Sequence, residues 1–353
     1  MKKSLLALAV LGAFAGAASA QSSVTMYGRL DLSVGKGLGN AQKGMFNGSG
    51  SRLGMRGVED LGGGLKGLFN IEHRFDADTG ASSSGTRFWT GRSIVGVEGG
   101  FGQIVLGREY TTAFLQSQLI ADPWGSDTVV AGTGAGSPTA PPAAPGICRT
   151  NNPGNGPAGA GGSNCSVTVG LTGGGIARVR NDSSITYKIS FAGVTIGAQT
   201  AERTDAINNF TKRPINVAFS YGGGPLAASL GYEQTGASGA ATEKWTTGHV
   251  SYAFGPVRPG IFVGRGNTAA NTKVESLMGT VTVGLGAGEL RAAFGQRKND
   301  PAGPTVKTTD ISGLAVGYHH SLSKRTTVYA DFARNSKLSA QKTGYDVGLK
   351  HNF

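Results

Sequence analysis

Residues 344–353 alternate between apolar and polar side chains along the last stretch of the chain. The apolar positions are Tyr345, Val347, Leu349 and Phe353, and the positions between them include Asp346, Gly348, Lys350 and Asn352. Successive side chains of a β-strand point to opposite faces, so this segment has one apolar and one polar face. Such a strand suits a barrel wall with lipid outside and water inside.

The same alternation recurs in five further stretches that can be read directly from the sequence. They are residues 24–32, 65–75, 217–221, 281–285 and 290–297. The clearest of them run for about ten residues, the length that a tilted strand needs to cross a bilayer. No run of 18 or more apolar residues follows the amino-terminal segment, which excludes helical membrane spans.

The connections alternate between short glycine-rich turns and long polar loops. Seven short turns are predicted at 60–64, 99–102, 192–193, 222–225, 254–257, 286–288 and 323–324. Eight long loops are predicted at 35–50, 77–86, 113–181, 204–213, 236–243, 267–272, 299–308 and 337–342. This asymmetry is typical of outer-membrane barrels, with short periplasmic turns and long external loops. We therefore predict an all-β fold, a 16-stranded antiparallel transmembrane β-barrel.

The amino-terminus has the features of a cleaved signal peptide. Lys2 and Lys3 precede a short apolar stretch, and Ala18-Ser19-Ala20 fits a small-residue cleavage site. A transmembrane anchor is the alternative, but the stretch is too short for one. We expect residues 1–20 to be removed and residues 21–353 to form one exported barrel domain.

The basic charge of the chain points to a lined channel rather than to nucleic acid. The formal net charge is +12, and removing Lys2 and Lys3 leaves +10. The basic residues are spread over the polar positions of the strands, whereas a nucleic-acid surface would cluster them. The glycines at 62, 64 and 67 match a dinucleotide-binding spacing but open a strand, so no cofactor is expected.

The connection at 113–181 is far longer than an ordinary loop. Its first part, residues 115–127, is apolar enough to pack against the barrel wall. Residues 131–162 are rich in glycine, alanine and proline, which favours an external insertion. Cys148 and Cys165 lie in this loop; an exported chain with two cysteines favours a disulfide, and two free thiols are the alternative.

Several segments in order resemble the trimeric general diffusion porins of the Gram-negative outer membrane, in their beta-proteobacterial branch. They are SVTMYGRLDLSV, SRLGMRGVEDLGGGLKGLFNIEHRFD, GRSIVGVEGGFGQIVLGREY, RNDSSITY and the terminal Phe353. The resemblance implies a homotrimer, an inward-folded third external loop, and Phe353 as the signal for barrel assembly machinery. It also implies contact with outer-membrane lipid and lipopolysaccharide, and small hydrophilic, mainly anionic solutes.

Strand alternation places a set of arginines on the channel face of the first four strands. They are Arg29, Arg52, Arg56, Arg74 and Arg92. The resemblance adds Arg108, with Arg178 and Arg180 at the return of the long loop. It also places Asp122 and Asp127 on the constriction loop, and Glu72 and Glu98 are expected on the wall. Guanidinium groups stay charged, so this basic wall predicts a preference for anions.

Three other functions remain as alternatives to a general diffusion channel. A barrel lipase or protease would need a nucleophile, a histidine and an acid at one rim, and no motif marks them. A substrate-specific channel or an adhesin would use the long external loop. A soluble β-sandwich fits neither the signal peptide nor the number of strands.

Overall fold

A computed structural model describes residues 23–39, 41–83, 88–125, 128–131, 179–202, 212–236, 242–268, 271–301, 303 and 306–353. Eighteen strand segments join in one antiparallel sheet that closes on itself where the first strand pairs with the last. Two barrel strands are each interrupted and appear as two segments. Lys43–Asn47 and Arg52–Gly62 both pair with the first strand and together form one barrel strand. Ala81–Ser82 and Ser93–Gly99 both pair with Leu65–Asp76 and form another. The barrel therefore has the sixteen strands that the sequence predicts.

We number the barrel strands β1 to β16 in chain order. They are β1 Ser23–Lys36, β2 Lys43–Asn47 with Arg52–Gly62, β3 Leu65–Asp76, β4 Ala81–Ser82 with Ser93–Gly99, β5 Gly102–Tyr110, β6 Arg180–Phe191, β7 Val194–Ala201, β8 Ile215–Gly223, β9 Leu226–Gly236, β10 Thr242–Tyr252, β11 Val257–Asn267, β12 Lys273–Leu285, β13 Gly288–Asp300, β14 Thr308–Ser321, β15 Thr326–Asn335 and β16 Thr343–Asn352. Short helical segments are Phe114–Gln118, Leu119–Ala121 and Val129–Ala131. Among the described residues, no helix has the length and apolar character to cross a membrane.

The barrel is apolar outside and polar inside, as the alternation predicts. On β16, Val347 and Leu349 are 57% and 51% exposed, whereas Asp346 between its apolar neighbours is 1% exposed. Paired residues on neighbouring strands lie on the same face of the sheet, so the inner face is continuous from one strand to the next. This arrangement stabilises the fold in lipid, because every strand exposes apolar side chains outward while its backbone groups bond to neighbouring strands.

The terminal aromatic residue completes the closure of the sheet. Gly28 and Phe353 exchange two backbone hydrogen bonds, at 3.0 and 3.1 Å. A side chain at position 28 would overlap the Phe353 ring, so glycine is needed on β1 for the ring to lie against it. Phe353 thus extends the seam between the first and last strands.

The first part of the long loop folds into the barrel and lies on the inner wall. Its helical segment Phe114–Gln118 is held against β8 to β10. The Thr112 backbone N–H donates to Asn216 Oδ1 at 2.7 Å, and the hydroxyls of Ser117 and Thr247 are 2.8 Å apart. These contacts confirm the predicted inward fold for the described part of residues 115–127.

The loop tip then packs on the opposite part of the wall. Trp124 Nε1 donates to Asp331 Oδ1 at 2.8 Å, and the Val129 N–H donates to Asp346 Oδ2 at 3.3 Å. A buried apolar cluster surrounds these bonds, and its members are Leu38, Ala121, Trp124, Val129, Val130, Phe262, Met278, Ala293, Ile311, Ala315 and Ala333. The loop therefore covers an apolar stripe on the inner face of β11 to β15 and narrows the channel.

Replacing Trp124 with phenylalanine should loosen the loop from the wall. The change removes the indole donor and leaves the buried Asp331 carboxylate with one partner fewer, which costs about 1–3 kcal/mol of unfolding free energy. Urea unfolding in detergent measures this loss, and single-channel recordings should show larger current fluctuations. Trp89→Phe, away from the loop contacts, is the control. Equal stability and equal current noise in the two variants would contradict the docking role of Trp124.

Candidate functional site

Three arginines lie side by side at one level of the inner wall. Arg29 on β1 is opposite Arg52 on β2, and Arg52 is opposite Arg74 on β3. Directly opposed residues on neighbouring strands have Cβ atoms only about 5 Å apart, so three like charges in a row need compensation.

Glu72 and Tyr110 hold the middle of this row. Arg74 Nε lies 2.9 Å from Glu72 Oε1 and its Nη2 donates to the Tyr110 hydroxyl at 2.6 Å. Arg52 Nη1 lies 3.9 Å from Glu72 Oε2. The Tyr27 hydroxyl also donates to Glu72, at 3.3 Å. One carboxylate and one phenol thus fix the directions of two guanidinium groups.

Two further arginines extend the basic wall past β4. Arg92 binds Glu109 in a two-pronged ion pair, with N···O distances of 2.8 and 2.7 Å. Arg180, where the loop returns to the wall, stacks over the Tyr110 ring at 4.0 Å and donates to its hydroxyl. Arg92 lies over the same ring at 5.7 Å. Planar guanidinium groups suit this combination of stacking and paired hydrogen bonds.

The guanidinium groups of this wall are more exposed to the channel than the carboxylates that bind them. The exposed fraction of the side chain is 17% for Arg52, 15% for Arg74 and 31% for Arg92. For Glu72 and Glu109 it is 5% and 6%. Water and solutes in the channel therefore meet guanidinium groups, with the carboxylates behind them.

The strands beside the basic row carry three buried carboxylates, two of which accept hydrogen bonds from the loop. Asp31, Asp331 and Asp346 are at most 4% exposed. Asp31 accepts hydrogen bonds from the Tyr329 hydroxyl and Ser49, and Asp331 lies 3.1 Å from His319 Nε2. Since Trp124 and Val129 donate to this cluster from the loop, its charge is directed at the loop and hidden from the channel.

Two of the predicted basic residues lie apart from the row. Arg56 is on the channel face but four residues farther along β2 toward the short-turn end, and it lies 5.4 Å from the Tyr27 ring. Arg108 and its neighbour Glu109 point to opposite faces of β5. The Arg108 side chain is buried, and its Nη1 lies 2.6 Å from Asp182 Oδ1. The structure therefore corrects the placement of Arg108: its guanidinium stabilises a buried ion pair and contributes little channel surface.

Asp122 lies on the inward-folded loop, but its carboxylate is buried within the loop tip. Asp122 is 6% exposed, and its carboxylate accepts the Trp124 N–H at 2.9 Å. The Gly125 N–H donates to the Asp122 carbonyl at 3.0 Å, which makes Asp-Pro-Trp-Gly a tight turn with proline at its second position. Asp122 thus shapes the loop tip instead of presenting a charge to the basic wall.

The remaining predicted residues either lie elsewhere or outside the described part of the chain. Glu98 is on the inner face next to a short turn, where it accepts a hydrogen bond from Gln103 at 2.8 Å. Asp127, Arg178, Cys148 and Cys165 lie outside the described residues, as do residues 1–20, which are predicted to form a signal peptide, and the glycine-rich stretch within 132–178.

Sequence reasoning missed the groups that organise the site. Tyr110 and Glu109 were not singled out, although they lie in the same LGREY segment as Arg108. The apolar stripe under the loop was also missed, yet Ile261, Phe262 and Val263 are apolar on both faces of β11. A strand with apolar residues at both parities indicates an inner face that is covered by another segment.

Known proteins resemble the chain over its full length. A family model described as Gram-negative porin matches residues 7–338. Outer membrane porin protein 32 of Delftia acidovorans is 32% identical over 394 aligned residues, covering 100% of both chains. An outer membrane porin protein of Bordetella pertussis is 27% identical, again over 100% of both. The solved anion-selective porin from Comamonas acidovorans has a TM-score of 0.68 and 27% identity, covering 94% of this chain and 100% of that one.

The family match, the full-length relatives and the closed sixteen-stranded barrel agree. This chain belongs to the Gram-negative porin family and is an outer-membrane porin.

Proposed function

We propose that the protein forms a water-filled channel for passive diffusion of small hydrophilic solutes and that the channel prefers anions. The observation that carries the preference is the unequal exposure of charge at the narrowed level. Arg52, Arg74 and Arg92 contact the channel, whereas Glu72 and Glu109 are buried behind them. An ion passing this level is closer to positive charge than to negative charge.

The burial of carboxylates on the inner wall also supports a preference for anions. Asp331 and Asp346 would offset the arginines if they faced the channel, but the loop lies over them, and Asp31 is buried by Ser49 and Tyr329. A barrel of sixteen strands leaves an aqueous lumen, and charged groups at its narrowest point govern selectivity. The solved Comamonas acidovorans structure is named as an anion-selective porin, which agrees with this preference.

We assign the basic side of the constriction to Arg29, Arg52, Arg74, Arg92 and Arg180. The first four donate to defined acceptors, namely the Asn352 side chain, the Ser49 carbonyl, Glu72 and Glu109, so their guanidinium groups are preorganised. Preorganised charges attract an ion without first reorienting. Arg56 lies about 13 Å along β2 from Arg52, closer to the short-turn end of the barrel, and so contributes its charge outside the constriction.

Replacing Arg74 with glutamine should reduce the anion preference. A unit charge about 8 Å from an ion in water changes its energy by about 0.5 kcal/mol, with opposite signs for anions and cations. The permeability ratio of chloride to potassium should therefore fall about 5-fold. The reversal potential across a KCl gradient in a planar bilayer measures this ratio.

Arg56→Gln is the matched control because it removes the same charge from the same face farther from the constriction. We expect a smaller shift in its reversal potential than for Arg74→Gln. A ratio unchanged by Arg74→Gln, or shifted equally by the two variants, would refute the assignment of the constriction to the level of Arg29, Arg52 and Arg74.

We also propose that three copies assemble as a homotrimer in the outer membrane, inserted by the barrel assembly machinery. The support is membership of the porin family. Light scattering of the detergent-solubilised protein, corrected for bound detergent, should give three times the mass of one mature chain. Channels should also open in groups of three equal steps. A monomeric mass with single openings would refute the trimer and leave the channel itself intact.

A further inference from the structure

We propose that Tyr110 is a positioning residue of the basic wall, which holds Arg180 at the channel without cancelling its charge. The proposal rests on the proposed function, a channel that prefers anions. Tyr110 is the last residue of β5 and Arg180 is the first of β6, so they stand at the two ends of the long loop. They are direct cross-strand partners, which places their Cβ atoms about 5 Å apart.

Arg180 depends on Tyr110 for its position. The carbon Cζ of Arg180 lies 4.0 Å from the centre of the Tyr110 ring, and Arg180 Nη2 donates to the Tyr110 hydroxyl. Within the part of the chain that the structure describes, no carboxylate lies within ion-pair distance of Arg180, and its buried Nε has no hydrogen-bond partner. The ring and the hydroxyl of Tyr110 are therefore the contacts that fix this guanidinium.

Three other guanidinium groups of the wall are held by carboxylates, which offset their charge. Arg92 binds Glu109, so this pair is neutral as a whole. Arg52 and Arg74 share Glu72, so this group keeps one positive charge in place of two. A phenol accepts a hydrogen bond while it stays neutral. The guanidinium that the phenol binds therefore keeps its full charge for a passing anion.

The Tyr110 side chain is itself fixed from several directions. Arg74 Nη2 donates to its hydroxyl at 2.6 Å. The ring of Phe114 on the long loop stacks on the Tyr110 ring, with 6.0 Å between the centroids, and Arg92 lies 5.7 Å from the ring centre. Aromatic faces attract guanidinium groups, so this one ring holds cations by its face and by its hydroxyl. Its position in turn sets the spacing between Arg74 and Arg180.

The proposal requires that the Tyr110 hydroxyl is neutral. A phenolate would bind the same arginines more strongly, but it would cancel one of their charges. The two forms predict opposite results when the oxygen is removed. Loss of a neutral acceptor releases a cation and lowers the anion preference, whereas loss of a phenolate removes a negative charge and raises it.

The test is the reversal potential of Tyr110→Phe in a planar bilayer across a KCl gradient. Phenylalanine keeps the ring and removes the acceptor. If the released guanidinium moves to twice its distance from the ion path, the chloride-to-potassium permeability ratio should fall about 2-fold. Arg180→Gln removes the charge itself and should lower the ratio about 5-fold. A ratio that stays unchanged or rises in Tyr110→Phe would overturn the proposal.

A double variant separates positioning from a general effect on the barrel. Once Arg180 is replaced by glutamine, Tyr110→Phe should cause little further change, so the two effects should not multiply. Tyr187→Phe is the matched control, because it removes a phenolic hydroxyl from β6 near a short turn, where that group donates to the Phe101 carbonyl at 2.6 Å. This control should keep the wild-type ratio. Effects that multiply in the double variant, or an equal shift in the control, would contradict a role exerted through Arg180.

The same measurements distinguish failure of this proposal from failure of the proposed function. A wild-type channel without anion preference would refute the function and the role of Tyr110 together. An anion-selective wild type whose ratio falls in Arg180→Gln but not in Tyr110→Phe would refute the positioning role alone. Urea unfolding in detergent checks that each variant forms the same barrel before its ratio is compared.

Discussion

The closed ladder of backbone hydrogen bonds is the constraint on which the rest of this structure depends. In a bilayer, unpaired peptide groups cannot be tolerated, so the sheet must close, and the pairing of β1 with β16 closes it. Closure fixes the register of all sixteen strands, and the register decides which side chains face water. The row of Arg29, Arg52 and Arg74 is a direct consequence of that register.

In the proposed channel, the long loop contributes to selectivity by covering carboxylates of the inner wall. The inner wall of the barrel contains both arginines and carboxylates. The loop donates hydrogen bonds to the carboxylates Asp331 on β15 and Asp346 on β16, while the arginines of the basic wall face the lumen. Selectivity therefore depends on which charges the loop hides as much as on which charges the wall contains. Apolar packing under the loop keeps that arrangement in place.

Much of the fold could be predicted because alternation and turn composition are local signals. All seven short turns and the sixteen strands follow from them, and strand parity alone assigns Arg29, Arg52, Arg74 and Arg92 to the inner face. For Arg108 the resemblance implies a place on the basic wall, whereas the alternation of β5 puts its side chain on the other face from Glu109. For Asp122 the Asp-Pro-x-Gly turn binds the carboxylate within the loop tip, a local rule that the sequence does show. The bonds around Tyr110 join residues up to seventy positions apart, and no local pattern encodes them.

Anion preference is tested most directly by the reversal potential of the wild-type protein in a planar bilayer across a tenfold KCl gradient. We expect a reversal potential displaced toward the chloride equilibrium potential, and the displacement should grow as the total salt concentration falls, because screening of the arginines weakens. A potential on the potassium side would contradict it, since it would mean that the carboxylates behind the arginines, or those under the loop, govern the passage of ions.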